Sequence, residues 1–169
     1  FYLKTKVLLD VQVLAGLYTL RIVSGTAVIG AEYSFWLMTF SIFLFLSLAL
    51  VKRYTELLSA KLLGSEIKSS RGYKVNDLDL LSSLGGASGY ISVSIFALFI
   101  NSDQITEKYS SPELLWFMIP ILLYWVSRVW IIAHRGDMED DPIIFAIKDN
   151  VSRFVAITLA VVLYGAMML

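Results

Sequence analysis

Residues 35–57 read Phe-Trp-Leu-Met-Thr-Phe-Ser-Ile-Phe-Leu-Phe-Leu-Ser-Leu-Ala-Leu-Val-Lys-Arg-Tyr-Thr-Glu-Leu. No charge interrupts the run from Phe35 to Val51, and Lys52 and Arg53 end it. An apolar stretch closed by cations reads as a helix that crosses a bilayer and anchors its basic end among headgroups. The alternation of a barrel strand is absent, and an open sheet would leave backbone N–H and C=O groups unpaired in lipid. Outward from this stretch, four more apolar segments qualify as spans, at about residues 7–30, 85–100, 113–133 and 151–169. The fold expected is an all-α integral membrane helical bundle of about five transmembrane helices, forming one domain over residues 1–169.

Composition agrees. The chain is 57% hydrophobic and 14% aromatic, with a mean hydropathy of +0.72, well above the apolar share of about 45–50% typical of soluble domains. Formal charge is zero, so no acidic or basic partner, nucleic acid included, follows from it. Without cysteine there is no disulfide, thiolate nucleophile or zinc-thiolate site. The chain opens on Phe1 with no signal-peptide pattern, which reads as a fragment or processed chain.

Lys and Arg fix an expected orientation. Lys4, Lys6, Lys52, Arg53, Lys61, Lys68, Arg71, Lys74, Arg135, Lys148 and Arg153 fall on one side of an alternating path, and Lys108 on the other. The positive-inside rule then puts the N-terminus and the loops at 52–84 and 135–150 in the cytoplasm. Trp36, Trp116, Trp125, Trp130 and Tyr109 fall near span ends, where interfacial rings belong. The 52–84 segment is the longest polar stretch and is expected to form a cytoplasmic cap, with residues 54–63 as an amphipathic helix on the membrane surface.

Three polar clusters carry candidate chemistry. Lys52 and Glu56 lie one helical turn apart on a shared face, where a cation and a carboxylate suit a phosphate and its Mg²⁺; an ordinary anchor with a helix-surface pair explains the same residues. Arg71, Gly72, Tyr73, Lys74, Asp77 and Asp79 set cations before a D-x-D, a loop suited to closing over a diphosphate or to capping a helix. Asp137, Asp140 and Asp141 precede Pro142, as metal ligands or as a helix start. Inside the spans, Arg21 and Arg128 require compensation, because intramembrane charge is costly unless paired or hydrated. Asp10, Arg21 and Ser24 fall within about 60° of one another on a helix, a polar stripe expected to face the bundle. Gly85 and Gly89 form a small-xxx-small pair that favours close helix packing.

The strings Leu17-Tyr18-Thr19-Leu20-Arg21, residues 45–57, Arg71-Gly72-Tyr73 and Asp140-Asp141-Pro142 resemble the C-terminal part of the UbiA superfamily of membrane prenyltransferases. The likeness is nearest the branch of polyprenyl-phosphate phosphoribosyltransferases and covers essentially the whole chain. It implies a nine-helix UbiA-like bundle of which these spans are the last five, with two acidic motifs on the cytoplasmic side of a bacterial inner membrane binding Mg²⁺ and a diphosphate. The first motif falls in helices this chain does not contain, so the resemblance implies that the fragment alone is inactive. The second, normally two Asp four residues apart, matches Lys52 and Glu56. A lysine there replaces one metal ligand by direct phosphate neutralisation, pointing to a donor such as phosphoribosyl diphosphate and a polyprenyl phosphate acceptor. The implied site is Lys52, Arg53, Arg71, Tyr73, Arg21 and Arg128 at the diphosphate, and Glu56, Asp77 and Asp79 at Mg²⁺. Two readings from other classes compete: a transporter or channel with an anion path lined by Arg21 and Arg128, whose mark would be paired broken helices, and a non-catalytic scaffold.

Overall fold

The computed structural model describes residues 7–28, 30, 34–63, 72–106, 108–138 and 141–168. The described residues form an all-α bundle with no strand. Its helices are α1 (Leu9–Val28), α2 (Phe35–Leu62), α3 (Leu78–Ile100), α4 (Asp103–Thr106), α5 (Met118–Arg135), α6 (Pro142–Lys148) and α7 (Asn150–Met168). 3-10 turns at Val75–Asp77 and Pro112–Phe117 lead into α3 and α5. With these lead-ins, α1, α2, α3, α5 and α7 are five segments long and apolar enough to cross a membrane, and large apolar side chains such as Leu20, Phe35, Leu98 and Phe154 stay exposed on the outside. That is the inverted surface of a protein solvated by lipid.

Helix α2 is the main departure from expectation. It runs without a break for 28 residues, about 42 Å at 1.5 Å per residue, against a hydrocarbon layer of about 30 Å. The separate surface helix expected at 54–63 is therefore the projecting end of this span. Nothing between Val51 and Lys61 breaks a helix, and Tyr54 and Leu57 are buried in the core rather than laid on a membrane surface. Ser34 caps the other end, its Oγ accepting from the Leu37 N–H at 3.3 Å.

α2 packs most extensively against α3, and next against α1. Ser47 organises the α2–α3 seam: its Oγ donates to the Gly85 carbonyl at 2.7 Å and accepts from Trp130 Nε1 of α5 at 3.1 Å. A Cβ on Gly85 would lie 2.0 Å from Trp130 Cζ2, and one on Gly89 would lie 2.5 Å from Val126 Cγ1. These glycines are where three helices meet, as the small-xxx-small reading expects. Trp130 and Trp125 are not interfacial anchors but donors between helices, the second reaching Ser152 Oγ of α7 at 3.0 Å. Gly136, at φ 77°, closes α5 in the left-handed conformation.

The glycine seam generates a sharp expectation. Gly89→Ala or Gly85→Ala forces a rigid neighbour to move and should destabilise the folded protein by about 1–3 kcal/mol, whereas Gly86→Ala, with open space at its Cβ, should be nearly silent. Thermal unfolding in detergent, monitored by loss of monodisperse protein, separates the two cases.

Candidate functional site

The starts of α1, α3, α6 and α7 and the ends of α2 and α5 lie at one end of the bundle, which gathers most of the described charge. At its centre Arg53 is buried, its side chain 6% exposed, and pairs with the 5% exposed Asp10 through Nε donating to Oδ2 at 2.5 Å. Its Nη1 donates to Glu56 Oε2. Tyr73 donates its hydroxyl to the other Asp10 oxygen at 2.7 Å and accepts the Leu8 N–H at 2.9 Å. Leu8 has φ 69°, a left-handed conformation costing a branched residue on the order of 1 kcal/mol, and its amide serves this network. Burial, then the hydrogen bond to Asp10, push the Tyr73 phenol above its ordinary range, so Tyr73 is a neutral donor. Asp10, Arg53, Glu56 and Tyr73 thus bind α1, α2 and the lead-in to α3 together.

On the residue before Arg53, Lys52 Nζ donates to Asp141 Oδ2 at 2.9 Å, with the two side chains 28% and 25% exposed. Asp141 also caps α6, its Oδ1 accepting from the Ile143 N–H at 2.9 Å. Burial raises the Asp141 pKa, but the hydrogen bond and charge of Lys52 and the cap amides outweigh it, leaving the carboxyl below its ordinary range. Leu14, Tyr18, Leu48 and Ala49 join Lys52 and Asp141 around a pocket of about 10 Å³, the size of a single water.

The expected site is only partly assembled. Arg53, Glu56 and Tyr73 converge in one network with Asp10, whereas Lys52 turns to Asp141; Arg71 and Asp140 lie outside the described residues. Arg21 does not join them: it is exposed on the membrane span, its guanidinium 5.2 Å from the ring centroid of Tyr18. The buried face of α1 is carried by Val11, Ala15 and Thr19, so the Asp10–Arg21–Ser24 stripe is its margin, covered only where Arg53 and Tyr73 reach Asp10. Arg128 is also absent from the site, because both its Nη atoms donate to Asp149, at 2.7 and 3.0 Å. Burial raises the Asp149 pKa, but Arg128 and the Ser152 amide and hydroxyl outweigh it and lower it overall. Arg21 and Arg128 do not face one another, and the five spans show no pair of broken helices at mid-membrane among the described residues.

The carboxylates expected at a metal do not gather either. Glu56 bonds Arg53, Asp77 accepts from the Lys74 N–H at 2.8 Å, and Asp79 is exposed. Among the described residues no group of three or more metal-ligating side chains comes together. Such a set is no protein cage for Mg²⁺, which would have to bring most of its oxygen ligands on a phosphate group. Residues that sequence reasoning passed over as site members, Asp10, Asp149 and His134, prove to be partners, and Asp141, read as a metal ligand or a helix start, is the cap of α6 and the partner of Lys52. His134 Nδ1 lies 2.9 Å from the Tyr54 hydroxyl.

The chain is 38% identical over 161 residues, 95% of its length, to the uncharacterized protein y4nM of Sinorhizobium fredii. It is 31% identical over 144 residues, 85% of its length, to the nodulation protein NoeC of Azorhizobium caulinodans. It spans 31% of the first protein and 47% of the second, so both relatives are much longer than the segment they share with it. No family profile matches the chain, and no solved structure does.

The buried pair predicts an asymmetric mutational response. Asp10→Leu takes the more buried of its two carboxylates from Arg53, leaving Glu56, and should cost about 3 kcal/mol, while adding Arg53→Met should recover most of that loss. A double-mutant cycle on denaturant unfolding in detergent measures both; equal losses in the single and double variants would contradict the pairing.

Proposed function

We propose that this chain is part of a UbiA-type membrane transferase acting between a polyprenyl lipid and a diphosphate-activated substrate, leaning to a polyprenyl phosphate acceptor and phosphoribosyl diphosphate donor. The observation that carries the reading is the gathering of Arg53, Glu56 and Tyr73 into one network with Asp10, with Lys52, the residue before Arg53, held at the same end of α2 by Asp141. In this reading the two cations have different roles. Lys52 is the diphosphate contact, because it is partly exposed and held by a single described carboxylate. Arg53 positions, because its guanidinium is buried between Asp10 and Glu56.

A diphosphate does not fit the pocket of about 10 Å³ as it stands. It enters by taking the place of Asp141 on Lys52, one anion replacing another on a cation that the bundle already holds. Glu56, one helical turn after Lys52 on α2, would be the carboxylate this chain offers to a diphosphate-borne Mg²⁺, which would supply charge neutralisation of the leaving group. The chain's own residues bind, orient and neutralise the donor. Leu14, Tyr18, Leu48 and Ala49, which line the same pocket, offer the apolar wall a lipid substrate needs. The proposal places the reaction at the cytoplasmic face of a bacterial inner membrane, supported by the basic loops at that end and by the bacterial relatives. The remaining helices come from elsewhere in a longer chain, as the greater length of both relatives suggests.

In the full-length protein, Lys52→Ala should lower transfer from phosphoribosyl diphosphate to a polyprenyl phosphate by about a hundredfold or more, while Lys52→Arg retains part of the activity. Radiolabelled product extraction reads this directly, and wild-type turnover by Lys52→Ala would remove Lys52 from the site.

The orientation has its own test, helped by the absence of cysteine. Single cysteines replacing Lys74 and Arg135 should react with an impermeant maleimide only after the cells are opened, and one replacing Lys108 should react in intact spheroplasts. The reverse pattern would invert the proposed topology.

A further inference from the structure

A well-formed cavity lies away from the Arg53 network, between α3 and α5. It has a volume of about 560 Å³, within the range of about 300–1,000 Å³ common to small-molecule sites. Gly86 forms part of its wall, and a Cβ there would meet nothing within 4 Å. Trp130, turned by its bond to Ser47, forms another part. At the deep end of the groove, furthest from the last turn of α5, Tyr90 and Ser127 satisfy each other through a 2.9 Å hydroxyl–hydroxyl hydrogen bond, and Ser127 donates onward to the Leu123 carbonyl at 2.6 Å. The deep end therefore has its polar groups paired and demands no polar ligand.

The opposite end is different. His134 and Arg135 line the groove in the last turn of α5, and both are exposed. The α5 carbonyls that would otherwise attract Arg135 are already met, Ala133 by the Gly136 N–H at 3.1 Å and Ile132 by the Asp137 N–H at 3.2 Å. Among the described residues Arg135 has no acidic partner. Where it faces the bilayer, an open apolar groove between two spans is filled by acyl chains, the solvent at that depth. A cation at its headgroup-level end selects the charge of the lipid whose chain lies there, as basic pockets between transmembrane helices do.

We propose that the α3–α5 groove is a binding site for an anionic bilayer phospholipid, with an acyl chain against Gly86 and Trp130 and the phosphate at Arg135 with His134 beside it. This inference is independent of the transferase reading and adds a second lipid contact away from Lys52.

The test uses the full chain in nanodiscs of equal phosphatidylglycerol and phosphatidylcholine, with retained lipid counted by native mass spectrometry after release. The wild type should retain phosphatidylglycerol over phosphatidylcholine by about fivefold. Arg135→Gln should bring that ratio close to one while keeping the total. Gly86→Leu, which fills the groove from a position with room for it, should lower retention of both lipids. Equal retention by the wild type, a preference that survives Arg135→Gln, or retention untouched by Gly86→Leu would each overturn the site. Displacement of phosphatidylglycerol by an equimolar polyprenyl phosphate would also overturn it, by showing that a lipid-linked phosphate is the occupant.

Discussion

Arg53 places a permanent positive charge inside a bundle whose outside is hydrocarbon. A guanidinium so buried is tolerable only with a carboxylate in direct contact, and Asp10 supplies it at 2.5 Å. Because Asp10 is at the start of α1 and Arg53 is far along α2, satisfying the charge fixes how the two helices lie against each other. Tyr73 then takes the remaining oxygen of Asp10 and ties the lead-in of α3 to the same point. The strained Leu8 backbone has a reason within this arrangement: its amide completes the hydrogen bonding of the Tyr73 hydroxyl.

The second constraint is steric. α2 and α3 approach closely because Gly85 and Gly89 present no side chain, and the space they leave is taken by Trp130 and Val126 of α5. Ser47 is both donor and acceptor at this crossing, so its hydroxyl leaves no unmet polar group in a medium that offers no water. The glycine at 86 plays the opposite part. Nothing enters the space beside it, and the same helix that is closed on its Gly85 and Gly89 face is open on the next, producing a packed seam beside a lipid-accessible groove.

The spans and the helical fold were legible because hydropathy over about twenty residues is a local property. The packing role of Gly85 and Gly89 was legible for the same reason: their spacing puts both on one face. The extent of α2 was less so, since Tyr54 and Leu57 read equally well as the apolar side of a surface helix or as core, and only the neighbouring helices decide which, Trp130 and His134 of α5 meeting the Tyr54 ring. Ion pairing was hardest to see. Arg53 with Asp10, Lys52 with Asp141 and Arg128 with Asp149 join positions 43, 89 and 21 residues apart, and no local pattern announces them. A usable signal did exist for Arg128, an arginine near one end of a span whose antiparallel successor begins beside an aspartate.

The same pairs decide how the cations can act. A fully buried pair such as Arg53 with Asp10 resists exchange, because any incoming anion would have to displace a carboxylate already desolvated with it and held by Tyr73 as well. Lys52 and Asp141 are each about a quarter exposed, so water can take over part of the solvation of either during exchange, and Asp141 keeps a role as the cap of α6 when it lets go. Lysine, a compact charge with rotatable donors on a flexible stem, also changes partners more readily than a guanidinium fixed by its fork. The charged end of this bundle is therefore divided between a rigid Arg53 centre that sets the helix geometry and a Lys52 contact able to change partners, and it is on that second contact that the proposed transferase chemistry depends.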